Sequence, residues 1–259
     1  MKKLIAICSI FVWQYACCLN TCLAQDRHDS TPPSPKPEMV LVEGGTFIMG
    51  SATDTSGNGT ITLAYSHQVT LSSFQIGKYE VTQAEWVSVM GVNESLHQGC
   101  DNCPVEEVSW NDIQLFIRTL NEKTGRHYQL PTAAQWEFAA RGGNKSKRYK
   151  YAGGNYIDEV AWCGGEFADQ THPVGRKRPN ELGIYDMSGN VSEWCNDWFD
   201  PYYDPGPQTN PQGPLSGAGH VIRGSSWSTS PSGLHVIGGS IGYPNDRSAH
   251  VGFRLVLIP

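Results

Sequence analysis

The sequence predicts one loop-rich domain of mixed α/β (α+β) class, and three observations lead there. Its 259 residues include 28 glycines and 16 prolines, which interrupt regular structure throughout. Only three segments carry the signature of a capped helix. Four short apolar runs read as strands, and eight tryptophans are available to pack the loops between them.

The chain begins with Met1-Lys2-Lys3 and a mostly apolar run over residues 4–15. That run falls short of the roughly 20 apolar residues of a bilayer span and fits the core of a secretory signal. Cys22-Leu23-Ala24 places small residues three and one before a cut, so residues 1–24 are expected to be a signal peptide cleaved after Ala24. An uncleaved anchor and a lipid-modified Cys17, Cys18 or Cys22 are the alternatives. Thr21 stands directly before Cys22 where a lipidation site carries a small residue such as Gly, Ala or Ser. Residues 25–38, with Pro32, Pro33, Pro35 and Pro37, read as a disordered leader. The folded domain is expected over 39–259.

Within it, residues 39–49, 68–76, 222–227 and 252–257 read as strands. Thr82 and Glu85 form a capping-box pair ahead of Trp86 and Met90. Ser109 and Asp112 open a second helix, with Trp110, Ile113, Ile117 and Leu120 at helical spacing and Gly125 as its stop. Thr132 and Gln135 open a third, entered through Pro131 and ended by Gly142-Gly143.

The formal charge is −6, and loss of the signal lysines would make it more negative. That excludes a nucleic-acid partner, which demands a basic face, and is compatible with binding cations. No later apolar stretch is long enough to span a membrane, so the mature chain is expected to act in the periplasm, at the cell surface or as a secreted protein.

Four cysteines, Cys100, Cys103, Cys163 and Cys195, follow the signal, and export permits disulfides. Three complete pairings are possible. Cys163 and Cys195 each follow a tryptophan in an aromatic segment, which favours pairing them with each other and Cys100 with Cys103. The Cys100-x-x-Cys103 spacing also leaves redox chemistry or half a zinc site open.

Seven segments, read in order, resemble the formylglycine-generating enzyme (sulfatase-modifying factor) family. They are Val42-Glu43-Gly44-Gly45-Thr46-Phe47, Gly77-Lys78-Tyr79-Glu80-Val81-Thr82, Pro104-Val105-Glu106-Glu107-Val108-Ser109-Trp110, Leu130-Pro131-Thr132-Ala133-Ala134-Gln135-Trp136-Glu137-Phe138, Gly183 through Trp194, Arg223-Gly224-Ser225-Ser226-Trp227 and Gly252-Phe253-Arg254. The resemblance runs from about Met39 to the end. It implies a complex fold related to C-type lectins. It also implies copper(I) held by two cysteines that follow the Arg-Gly-Gly-Ser segment, where soft thiolates suit the metal.

Matched onto this chain, that serine is Ser226 and the two cysteine positions fall on Thr229 and Leu234. No cysteine follows Cys195. A hydroxyl and an alkyl group cannot replace two thiolates, so copper is not an expected cofactor and no catalytic residue is carried over. Ser226 and His235 remain as cleft candidates for a nucleophile and base. Iron-binding relatives place their histidines on an extra helical domain that this chain lacks room for. The resemblance also implies a structural calcium at Asp186 and Glu193 by side chain and Gly189 and Val191 by carbonyl, hard oxygen donors at a tight turn. The expected function is a binding or scaffold protein of the cell envelope with a protein or glycan ligand. A divergent oxidative or hydrolytic activity in the same cleft is the alternative.

Overall fold

The three capping boxes read from the sequence all form. In α1 (Gln83–Met90), α2 (Trp110–Thr124) and α3 (Ala133–Ala140), the hydroxyl before the helix accepts the N3 amide. The N3 side chain returns to the cap amide: Thr82 with Glu85, Ser109 with Asp112, and Thr132 with Gln135. Each cap contributes about 1 kcal/mol. α1 and α2 stop at Gly91 and Gly125, both left-handed. A short α4 spans Ile157–Val160, and a 3-10 turn covers Gly143–Lys145.

This architecture comes from a computed structural model, which describes residues 36–50, 66–164, 169–201 and 205–258. The expected signal peptide and most of the proline-rich leader lie outside the described residues. Among the described residues, eleven strands fall into three sheets. The first has the order β1 (Met39–Val42), β4 (Phe74–Gly77), β11 (Val256–Leu257), β5 (Tyr128–Gln129). The second runs β10 (Val251–Gly252), β6 (Ser192–Trp198), β8 (His220–Arg223), β9 (Gly239–Gly242). The third runs β2 (Gly45–Met49), β3 (His67–Leu71), β7 (Gln208–Thr209).

Three of the expected strands break in two. The run at 39–49 divides into β1 and β2, and 68–76 into β3 and β4, because the chain changes sheet twice at one place. Gly44 donates its N–H to Ser73 Oγ (3.0 Å), and a Cβ there would collide with the backbone of residues 71–73. Only glycine lets the two crossings lie against each other. The run at 252–257 likewise splits between β10 and β11. The fourth begins earlier than expected, at His220, and ends at Arg223 because Gly224 turns with φ +74.

The core gathers around α3, all of whose residues are buried. Its Ala133-Ala134 and Ala139-Ala140 pairs let it sit close against β2, β6 and β8. A second apolar cluster joins α1 and α2 through Trp86, Phe116 and Phe253, with the rings of Trp86 and Phe116 stacked at 5.1 Å. Burying α3 on every side buries Glu137 too, and its carboxylate pairs with Arg223 (3.1 Å) and Arg141. No helix among the described residues is long and apolar enough to cross a membrane.

Candidate functional site

Two neighbourhoods contain the residues singled out by sequence. The first is the acidic turn leading into β6. Asp186 adopts a left-handed φ of 57°, uncommon outside glycine, and its Oδ2 accepts the Gly175 N–H at 2.7 Å. Asp186 Oδ1 is buried and has no hydrogen-bond partner among the described residues. Gly189 has φ +86 and packs so tightly on the Trp162 backbone that a Cβ has no room.

Glu193 is buried and engaged on both oxygens. Arg254 donates from Nε to Oε2 and from Nη2 to Oε1, both at 2.7 Å, and Trp136 Nε1 donates to Oε2 at 2.7 Å. Arg254 also donates to the carbonyls of Gly77 (3.0 Å) and Tyr185 (3.1 Å). One guanidinium thus ties β4, the acidic turn and β6 together.

Glu80 completes the group: its Oε1 accepts the Val191 N–H (3.1 Å) and its Oε2 the Asn190 Nδ2 (2.6 Å). Burial, then the Asp186 and Glu193 carboxylates, pushes Glu80 well above the usual carboxylate range. Burial likewise pushes Asp186 up to about 6. Three buried carboxyl groups therefore share one guanidinium, and burial favours the neutral form of Glu80 and Asp186. No group of three or more His, Cys, Asp or Glu side chains among the described residues is placed to hold a metal ion. Asp186 fits the calcium implied by the resemblance, since its free Oδ1 would hold the ion. Glu193 fits less well, because Arg254 and Trp136 already occupy both of its oxygens.

The second neighbourhood follows β8. Ser226 is buried, and Thr229 folds back on it: Ser226 N–H donates to Thr229 Oγ1 (3.1 Å) and Thr229 N–H to the Ser226 carbonyl (3.0 Å). The Ser226 hydroxyl meets Ser228 Oγ at 3.1 Å. Leu234 is buried with Tyr151, Val160 and Ala161. The positions matched to the two copper cysteines are thus a hydroxyl closed into a turn and an alkyl group in the core. Neither donor fits copper(I). His235 lines a separate cavity with Arg141 and Tyr149 that does not include Ser226, so the structure does not join Ser226 and His235 as nucleophile and base. Beside the turn, the Trp227 ring lies between His97 (5.4 Å) and His250 (4.5 Å), and His97 Nδ1 lies 3.4 Å from the buried Glu106.

The cysteines divide differently from the sequence expectation. Cys100 and Cys103 form a disulfide, with Cα atoms 5.3 Å apart. The expected Cys163–Cys195 bond is absent: both are free thiols. Cys163 packs beside Leu234 at the edge of one apolar cluster, while Cys195 is fully buried in another. A tryptophan neighbour marked each as near core without saying which core. Burial first, then Asp158, raises the Cys163 thiol, and burial raises Cys195 well above its ordinary value. Neither is poised as a thiolate.

Sequence reasoning missed Glu80, Glu137, Arg223 and Arg254 as a buried ionic frame. The signal was present, since each is a charge set in an apolar or aromatic segment.

A family model described as "Sulfatase-modifying factor enzyme 1-like domain" matches residues 25–258. The "Chaperone protein LppX" of Paenibacillus barcinonensis is 39% identical over 209 residues, covering 61% of this chain and 70% of the relative. The formylglycine-generating enzyme of Streptomyces coelicolor is 35% identical over 193 residues, covering 65% of this chain but only 59% of the enzyme. Among solved structures, Treponema denticola variable protein 1 superimposes with a TM-score of 0.76 at 29% identity, over 85% of this chain and 95% of that one. PvdO from Pseudomonas aeruginosa superimposes with a TM-score of 0.75 at 27% identity, over 87% and 96%.

Proposed function

We propose, from the premise that the chain belongs to the sulfatase-modifying factor enzyme 1-like domain family, that it is an exported binding domain of the cell envelope without copper-dependent oxidase chemistry. One observation carries the reading. Thr229 is closed into a turn with Ser226, and Leu234 is buried beside Tyr151 and Val160, where the family resemblance calls for two thiolates. The nearest described free thiol, Cys163, is single and held protonated. The name of the relative from Paenibacillus barcinonensis, a chaperone protein, supports a role in binding another molecule. The ligand is a protein or a glycan, met by residues 228–246, the segment that carries Thr229 and Leu234 in place of the family's cysteines and so is rebuilt relative to the family. Calcium at Asp186 has a structural role in this reading, stiffening the turn that enters β6.

An oxygen electrode tests the catalytic half. Protein supplied with a cysteine-containing peptide and copper(I) consumes no oxygen beyond the copper-only control. Uptake matched by aldehyde formation on the peptide would refute the reading. A glycan and peptide array tests the binding half: retention is lost on combining Ser230→Glu, Ser232→Glu and Tyr243→Ala, exposed positions of the 228–246 segment, which leaves β9 and the buried Leu234 in place. Retention unchanged by those substitutions removes the segment from the site.

A further inference from the structure

A cavity of about 900 Å³ lies along β2, lined on one side by Thr46, Phe47 and Ile48 and on the other by Arg148, Tyr149 and Lys150. Among the described residues β2 is an edge strand, bonded within its sheet to β3 alone. Its hydrogen-bonding direction follows from the far side of the sheet. The Asn210 N–H donates to the Thr70 carbonyl (2.9 Å), and the Ser72 N–H donates to Asn210 Oδ1 (2.8 Å). Thr70 and Ser72 therefore turn their backbone groups toward β7. Such groups alternate sides along a strand, so Val69 and Leu71 bond β2, at their partners Phe47 and Gly45.

Thr46 and Ile48 consequently point their N–H and C=O groups away from the sheet. At both ends of β2 the same outward side is already occupied. Asn144 Nδ2 donates to the Gly44 carbonyl (2.9 Å), the Gly50 N–H donates to Glu137 Oε1 (2.9 Å), and Arg141 Nη2 donates to the Gly50 carbonyl (2.9 Å). Between these plugs, the backbone groups of Thr46 and Ile48 have no partner among the described residues. An unpaired edge is a template for one more strand. The Ile48 side chain, 55% exposed, adds an apolar contact at the same place.

The opposite wall states the charge of the occupant. Five of the chain's 19 lysines and arginines fall within residues 141–151, although the whole chain is acidic at −6. Arg141 is paired with Glu137, but Arg148 has no acceptor for its side chain among the described residues, and Lys150 rests on the Tyr151 ring at 4.9 Å. The carboxylate in the lining, Glu181, accepts the Lys147 N–H (2.8 Å). Arg148 itself is held at φ 56°, an uncommon backbone state for a non-glycine residue, with its N–H on Ser146 Oγ (3.2 Å).

We propose that this groove receives an extended acidic segment of a partner polypeptide, which pairs as an added strand with Thr46 and Ile48 while its carboxylates meet Arg148 and Lys150. Strand side chains alternate faces, so the acids belong at every second position of that segment. The strand edge lies on β2, while His235, Val236 and Ile237 of the 228–246 segment line the same cavity, so the inference rests on the reading above and deepens it by naming the class of ligand. Variants on β2 and at Arg148 and Lys150 lie outside that segment, so they fail separately from changes to its exposed side chains.

The probe is a fluorescein-labelled octapeptide of alternating Glu and Thr, followed by anisotropy with the full chain. It binds at least about tenfold more tightly than its Lys-Thr counterpart, and weakens with salt. N-methylation at alternate residues, which removes strand hydrogen bonds and keeps charge, costs about tenfold or more. Ile48→Pro removes an outward N–H together with the Ile48 side chain, whereas Ile48→Ala removes the side chain alone; only the proline variant abolishes the preference for the unmethylated probe. Arg148→Glu with Lys150→Glu, both exposed, supplies a second variant that leaves the sheet intact and cancels binding. Equal binding of methylated and unmethylated probes, or equal binding of an oligogalacturonate of the same charge, overturns strand pairing. Dimers in sedimentation that vanish in Ile48→Pro would make the edge a contact between copies and overturn the proposal as well.

Discussion

The acidic turn and the segment after β8 sit on neighbouring strands of one sheet yet differ in kind. At β6, every charge on Glu193 and Arg254 meets a partner at 2.7–3.1 Å, and the group spans three parts of the fold. After β8, Ser226, Ser228 and Thr229 bond mainly to one another, and Leu234 fills an apolar pocket. A buried ion pair cannot lose one member cheaply, because the other is left charged and desolvated. The turn after β8 keeps Ser226 and Leu234 buried, but its exposed Ser228 and half-buried Thr229 carry no charge, so exchanging them costs less. The difference teaches that framework and chemistry separate: the fold needs the first region and tolerates a rebuilt second one.

Substitutions break or sharpen that contrast. The largest effect is expected at Arg254→Met, which strands Glu193 and empties the carbonyls of Gly77 and Tyr185. Urea unfolding should show a loss of about 3–5 kcal/mol, and a loss under 1 kcal/mol would deny the frame its role.

Asp197 gives the next effect, and its sign is opposite. Burial pushes its carboxyl from 3.8 up to about 6, although it accepts the Ala133 N–H at the start of α3. The native state therefore binds that proton more tightly than the unfolded chain. Its contribution to stability falls as pH rises from about 4 to about 6, and stays low above that window. Asp197→Asn should stabilise the protein at pH 7.5 by up to about 3 kcal/mol and match wild type below pH 4. Thermal melts across that range check it, and a constant difference would contradict the burial argument.

Calcium comes third. Chelation should lower the melting temperature by a few degrees, as expected from losing about 2 kcal/mol of ligand stabilisation. Asp186→Ala should melt at the same temperature with and without chelator. Thr229→Ala, in the rebuilt turn, should cost only about 1 kcal/mol for one lost hydrogen bond.

Much of the frame was legible because its signals are local. Thr82, Ser109 and Thr132 cap their helices through residues three positions on, so each helix could be read from four letters. The strands were legible as apolar runs, but their division was not. Gly44 lies beside Ser73 only after both chains have turned. β6 was missed as a strand because burial on both faces removes the alternation that marks one, and Glu193-Trp194-Cys195 is buried throughout. The acidic turn was found through resemblance at Asp186 and Glu193. Arg254, 61 residues from Glu193, could be joined to it only by the fold. The Cys163–Cys195 expectation failed for the same reason, since two core-like neighbourhoods need not be one core.

A copper(I) competition titration tests the central claim most directly. Wild-type protein, titrated against a chromogenic copper(I) chelator, should leave the metal with the chelator at every protein concentration. Thr229→Cys with Leu234→Cys should withdraw one equivalent. Stoichiometric withdrawal by the wild-type chain, abolished by Cys163→Ser, would contradict the account and return a thiolate metal site to the rebuilt segment.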